Sequence, residues 1–90
     1  MPRRHEDKMK LHEKVRSILF LEWDPLCVSS NEHLSGEYDD YIPEICFAIS
    51  TFDPSVIEKS LLRIEQEKLG MSVTDSRRKN VVGTLLAIVK

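Results

Sequence analysis

Apolar residues recur at helical spacing along most of this chain. Between Glu6 and Glu22, Met9, Val15, Ile18 and Leu19, with Leu11 nearby, follow the period of a helix that buries one face. Trp23-Asp24-Pro25 ends that helix, because a proline disfavours helical geometry at the residue before it. Residues 26–36 have no period and carry Ser29, Ser30, Asn31, Ser35 and Gly36, which predicts a loop. The period returns with Tyr41, Ile42, Ile45, Ala48 and Ile49, for a helix that starts near Asp39 or Asp40 and runs to about Thr51. Pro43 fits in its first turn, where no N–H is needed. Asp53 then reads as a cap and Pro54 as the first position of a third helix, with Ile57, Leu61, Ile64 and Leu69 on one face and Gly70 as its stop. Ser72 or Thr74 caps a last helix that ends near Val89, with Val81, Val82, Leu85, Leu86, Ile88 and Val89 apolar. Gly83 weakens it by up to about 1 kcal/mol unless a neighbouring helix packs closely there. No alternating strand pattern interrupts these segments.

The expectation is an all-α, small four-helix bundle, a single domain over residues 1–90 with residues 1–5 flexible. Its predicted core is Ile18, Leu19, Ile45, Ile49, Ile57, Leu61, Ile64, Leu85 and Leu86. A chain of 90 residues buries roughly 60% of its unfolded surface, so this core is small. The longest apolar run, residues 81–89, is far short of the ~20 residues that span a bilayer. The charged N-terminus and the short apolar run 18–21 give no signal-peptide core. Two cysteines without a CxxC pair suit a reduced, cytoplasmic chain. Cys27 lies beside Leu26 and Val28, and Cys46 beside Ile45 and Phe47, so both are expected in the core.

Charge changes the picture. The net charge of -2 hides a segregation. Residues 1–16 balance to +3 and residues 59–90 to +4, while residues 17–58 hold nine acids and no Lys or Arg. Ordinary surfaces intersperse the two signs. Two readings stay open. The acidic middle either salt-bridges to the basic ends within the fold, or it faces outward to meet a cationic partner. Within it, Glu37, Asp39 and Asp40 also stand at a predicted helix start, where acids complement the helix dipole.

Candidate chemistry is sparse. A calcium loop counted from Asn31 places Gly36 correctly at the sixth position, but His33 falls at the third and Ile42 at the twelfth, where oxygen ligands are needed. Zinc would require the fold to gather Cys27, Cys46, His12 and His33, and no spacing says so. The basic triplet Arg77-Arg78-Lys79 has no interleaved aromatics and reads as a solvated face. No cofactor and no metal is expected. Trp23 is read as core. Of Tyr38 and Tyr41, one is expected buried with its hydroxyl bonded and the other at the rim.

The segments 22–28 (EWDPLCV), 36–45 (GEYDDYIPEI) and 61–71 (LLRIEQEKLGM) resemble a family of small uncharacterised bacterial helical proteins, with Trp23, Asp24, Pro25, Val28, Glu37, Tyr38, Asp39, Tyr41 and Pro43 matching position by position. That family carries a WDP-Ile-Gly-Val segment and an Asp-Glu-Tyr-Asp-x-Tyr-x-Pro motif. The resemblance covers roughly residues 15–75. Cys27 replaces the family glycine, which puts a left-handed turn there in doubt, and Gly36 replaces the first acid of the second motif. The resemblance implies a helical fold, bacterial origin and a cytoplasmic location, and it is compatible with an immunity role against a secreted toxin.

The functional expectation is therefore a non-catalytic binding module, an immunity or antitoxin-like protein. Its acidic 22–44 segment would block a basic protein partner, such as a nuclease-type toxin. The contact residues would be Glu32, Glu37, Tyr38, Asp39, Asp40, Tyr41 and Glu44, with no nucleic acid and no membrane bound directly. The alternatives are a small enzyme using Glu37, Asp39 and Asp40 as a metal or acid–base site, and a structural homodimer paired through the apolar last helix.

Overall fold

A computed structural model of the chain describes the backbone of residues 4–34 and 36–89, and the side chains from Lys10 onward within those ranges. Four helices follow one another. Helix α1 spans Arg4–Ile18 and continues as a wider π turn over Leu19–Trp23. Helix α2 spans Ile42–Ser50, α3 spans Pro54–Ile64 with a π turn over Glu65–Leu69, and α4 spans Asp75–Ala87. Among the described residues there is no strand. The all-α, four-helix expectation is met. The flexible stretch expected at residues 1–5 falls largely outside the described residues.

Local chemistry sets the boundaries. The Asp53 carboxylate accepts from the Ser55 N–H at 2.9 Å, and Pro54 follows at the start of α3. Gly70 stops that helix in the left-handed region at φ 66°, where a side chain would be strained. Thr74, not Ser72, caps α4 by accepting from Arg77 N–H. Segment 39–41 forms a 3-10 turn ahead of α2, which itself begins slightly later than expected and holds Pro43 in its first turn. The 26–36 segment is mostly irregular but contains one 3-10 turn, Glu32–Leu34.

The helices touch in a ring: α1 meets α2, α2 meets α3, α3 meets α4 and α4 returns to α1. Short connections, residues 51–53 and 70–74, make α2, α3 and α4 consecutive neighbours, and the longer segment 24–41 brings α2 back against α1. All nine residues of the predicted core are buried, joined by Val15, Phe20, Trp23, Tyr38, Ile42, Ala48, Val81 and Val82. Because Val81, Val82, Leu85 and Leu86 face inward, α4 leaves no broad apolar face for a two-fold pairing.

Gly83 answers the question its sequence context raised. A methyl placed there would meet nothing within 4 Å, so no neighbouring helix requires the glycine. Gly83→Ala should raise stability by about 0.5–1 kcal/mol through helix propensity and a less flexible unfolded chain. A denaturation midpoint that fails to rise would contradict this reading of α4.

Candidate functional site

The end of α1 carries two adjoining polar networks. Asp24 leaves the helix in a left-handed conformation, φ 36°, after its N–H donates to the Leu19 carbonyl at 2.9 Å. Its carboxylate accepts from Val28 N–H at 2.9 Å, Ser29 N–H at 3.0 Å and the Tyr38 hydroxyl at 2.7 Å. The Tyr38 oxygen in turn accepts from Leu26 N–H at 3.0 Å. One carboxylate and one phenol thus gather the backbone of residues 24–29, and tie it to the acidic turn ahead of α2. The Trp23 and Tyr38 rings pack tilted, 5.4 Å between centroids.

Trp23 also opens the second network. Its indole N–H donates to Glu65 Oε2 at 2.8 Å. Arg78 donates through Nε to Oε2 at 3.0 Å and through Nη2 to Oε1 at 2.7 Å, a bidentate pair. Val73 N–H adds a contact to Oε1 at 3.3 Å, and Arg78 Nη1 reaches Asp75 at 2.7 Å. Glu65 is 0% exposed and Arg78 only 4%. Among the described residues, every buried side-chain polar atom finds a partner. The buried groups of both networks are satisfied within the fold and hold its segments together, while Asp24 and Ser29 also line a cleft with Cys27 and Arg77.

Electrostatics agree with that assignment. Burial pushes the Asp24 carboxyl upward, but the bonds from Tyr38, Val28 and Ser29 outweigh it and leave the group below its ordinary value. Burial first, and then the Asp24 carboxylate, push the Tyr38 phenol well above its own. The pair with Glu65, opposed by burial, raises the Arg78 guanidinium above its ordinary value. For Asp24 the sign follows directly. A depressed native value gives stability that is present above the ordinary carboxylate range and is lost as pH falls through the native value. Tyr38→Phe removes the strongest of the lowering bonds, so its stability should fall less steeply below about pH 4 than that of the wild type. Parallel acid profiles for the two proteins would count against Asp24 as the responsible group.

The expected contact residues separate on this scaffold. Glu32, Glu37 and Asp40 are exposed. Asp39 is not a free contact: Arg16 on α1 grips it bidentately, Nε to Oδ1 at 2.8 Å and Nη2 to Oδ2 at 2.7 Å. Glu44 pairs with Arg63 on α3. The acidic middle is therefore partly salt-bridged internally, through Arg16 and Arg63. Tyr38 is a correction. At 2% exposure it is a core residue, because its ring packs on Trp23 and its hydroxyl serves Asp24. Tyr41 is half-buried at the rim.

Cys27 is a second correction. It is exposed, since Leu26 and Val28 turn inward on either side of it. It adopts φ 56° without a glycine, so the left-handed turn in doubt there is present. Cys46 is half-buried, and burial raises its thiol pKa.

Sequence reasoning missed two kinds of residue. Glu65 received no role, and Arg78, read within a solvated face, is buried, at helical spacing from Val81, Val82 and Leu85 on the apolar stripe. Phe47 received no role, yet it is 72% exposed on α2, at helical spacing from exposed Pro43 and Asp40. An aromatic on the polar side of a periodic helix was the available signal.

None of the four principal clefts among the described residues is lined by Glu37, Asp39 or Asp40. Nor does any group of three or more His, Cys, Asp or Glu among them stand close enough to hold a metal ion. No helix is long and apolar enough to cross a membrane. Compared with family models, curated proteins and solved structures, the chain matches none.

Proposed function

We propose that the protein is a non-catalytic binding module that presents an acidic face to a cationic protein partner. The partner class that fits is a nuclease-type toxin, and the role is that of a cytoplasmic immunity or antitoxin protein. One observation carries the reading: residues 17–58 hold nine acids and no Lys or Arg, and Glu32, Glu37 and Asp40 among them are exposed with no ion pair among the described residues. A nuclease must display positive charge to bind phosphates, and carboxylates mimic that polyanion, steering encounter and selecting partners. Phe47, on the same side of α2 as Asp40, supplies the aromatic anchor that such contacts use. Trp23 and Tyr38 cannot, being buried. The segments resembling the small bacterial helical family fit the same proposal as a shared scaffold, in which Trp23, Asp24 and Tyr38 brace the turn that carries the acids.

Charge reversal tests this. Glu37→Lys/Asp40→Lys should fold normally and lose basic proteins that the wild type captures from source-cell lysate at about 0.1 M salt, where screening acts over about 10 Å. Asp39→Lys is the control. It turns an ion pair into a like-charge contact with Arg16, so it should lower the melting point, by an amount near the ~1 kcal/mol ceiling of a surface pair. Identical captured proteins for wild type and double variant would end the proposal.

A further inference from the structure

Two features on different parts of the molecule are complementary. The first is the ridge on α2, where Asp40, Pro43 and Phe47 are exposed at helical spacing. The second is a groove between α1 and α4. Its floor is apolar, formed by Ile18 and Ile88, and Lys10 and Lys14 stand on its rim with Glu13 between them. The ridge belongs to the segment without a single Lys or Arg, and the charged residues lining the groove are Lys10 and Lys14 against Glu13 alone, a local excess of positive charge.

The spacings agree. Lys10 and Ile18 are eight residues apart on α1, about 12 Å at the α-helical rise. Asp40 and Phe47 are separated by a short 3-10 step and five α-helical residues, about 11 Å. A second copy laid along the groove therefore puts Asp40 beside Lys10 while Phe47 reaches Ile18 and Ile88.

We infer that the α2 ridge of one copy docks into the α1/α4 groove of another, giving head-to-tail self-association. Charge decides against the two-fold alternative. Pairing two α2 faces through Phe47 brings the two exposed Asp40 carboxylates together, while the nearby cations Arg16 and Arg63 are already held by Asp39 and Glu44. Ridge against groove opposes unlike charges and removes an exposed phenylalanine from water. Such a heterologous contact does not close on itself in a dimer, because each end copy keeps one unused surface. This inference does not rest on a foreign partner. It adds that a second copy competes for the same acidic face.

The test is sedimentation equilibrium of the full chain over a range of concentrations. At about 0.1 M salt the weight-average mass should rise above 10.4 kDa with concentration, and the rise should shrink at about 1 M, where screening acts within about 3 Å. Phe47→Ser and Lys10→Glu change exposed side chains, and circular dichroism should show both folded. Each alone should stay at the monomer mass. An equimolar mixture should form a dimer that grows no further, since an intact ridge on Lys10→Glu meets an intact groove on Phe47→Ser and the remaining surfaces are both broken. A wild type monomeric at every concentration overturns the inference. So does association that survives both variants, or a mixture that stays monomeric. Failure of self-association would leave the capture of a basic protein by Glu37 and Asp40 standing.

Discussion

Arg78→Ala is expected to cost about 3–5 kcal/mol, a large share of the stability available to a 90-residue domain. The reason is what it leaves behind. Glu65 is wholly buried, and among the described residues Arg78 supplies its only cation and two of its four hydrogen bonds. Without the guanidinium, Trp23 and Val73 alone address a carboxylate that water cannot reach. The contact of Arg78 with Asp75 adds little, because Asp75 is solvated. A double replacement, Glu65→Leu with Arg78→Met, should recover most of the loss, since removing both charges also removes their desolvation cost. Urea unfolding followed by circular dichroism separates the cases. A loss below about 1 kcal/mol for Arg78→Ala would mean that Glu65 is relieved by water or by protonation.

How much of this was legible in the sequence depends on the range of each interaction. Asp53, Gly70 and Thr74 act on backbone within a few residues of themselves, so their identity and position were enough to mark helix ends. The core was legible for a similar reason, because Ile57, Leu61 and Ile64 share a face whatever they pack against. Pairings across the fold were not. Arg16 and Asp39 are 23 residues apart, and their contact depends on how the 24–38 segment folds back under the grip of Asp24 and Tyr38. Composition showed that unlike charges were segregated, but not which of them would meet. Asp39 and Glu44 turned out to meet cations of α1 and α3, while Glu32, Glu37 and Asp40 face water. The π turns that end α1 and α3 were also hidden. They place Trp23 and Glu65 face to face, which is a requirement of the tertiary network and leaves no mark in local propensity.

Trp23→Ala should cost as much as breaking the ion pair, about 3–5 kcal/mol, but for a compound reason. Truncation opens a cavity at a fully buried site and removes the ring on which Tyr38 packs. It also takes one donor from Glu65. Trp23→Phe separates these contributions. A phenyl ring preserves most of the volume and the contact with Tyr38, and Glu65 Oε2 keeps its bond from Arg78 Nε. The remaining loss is then one hydrogen bond to a charged group, about 1.5–3 kcal/mol. The indole edge is the only part of Trp23 that touches Glu65 by hydrogen bond, and the ring face is the part that meets Tyr38. Equal losses for the two variants would therefore assign the whole effect to the indole N–H and to the Glu65 network. A loss for Trp23→Ala alone would assign it to volume and to the Asp24–Tyr38 side. Losses below about 1 kcal/mol in both would show that the two networks stand independently, and that Trp23 does not join them.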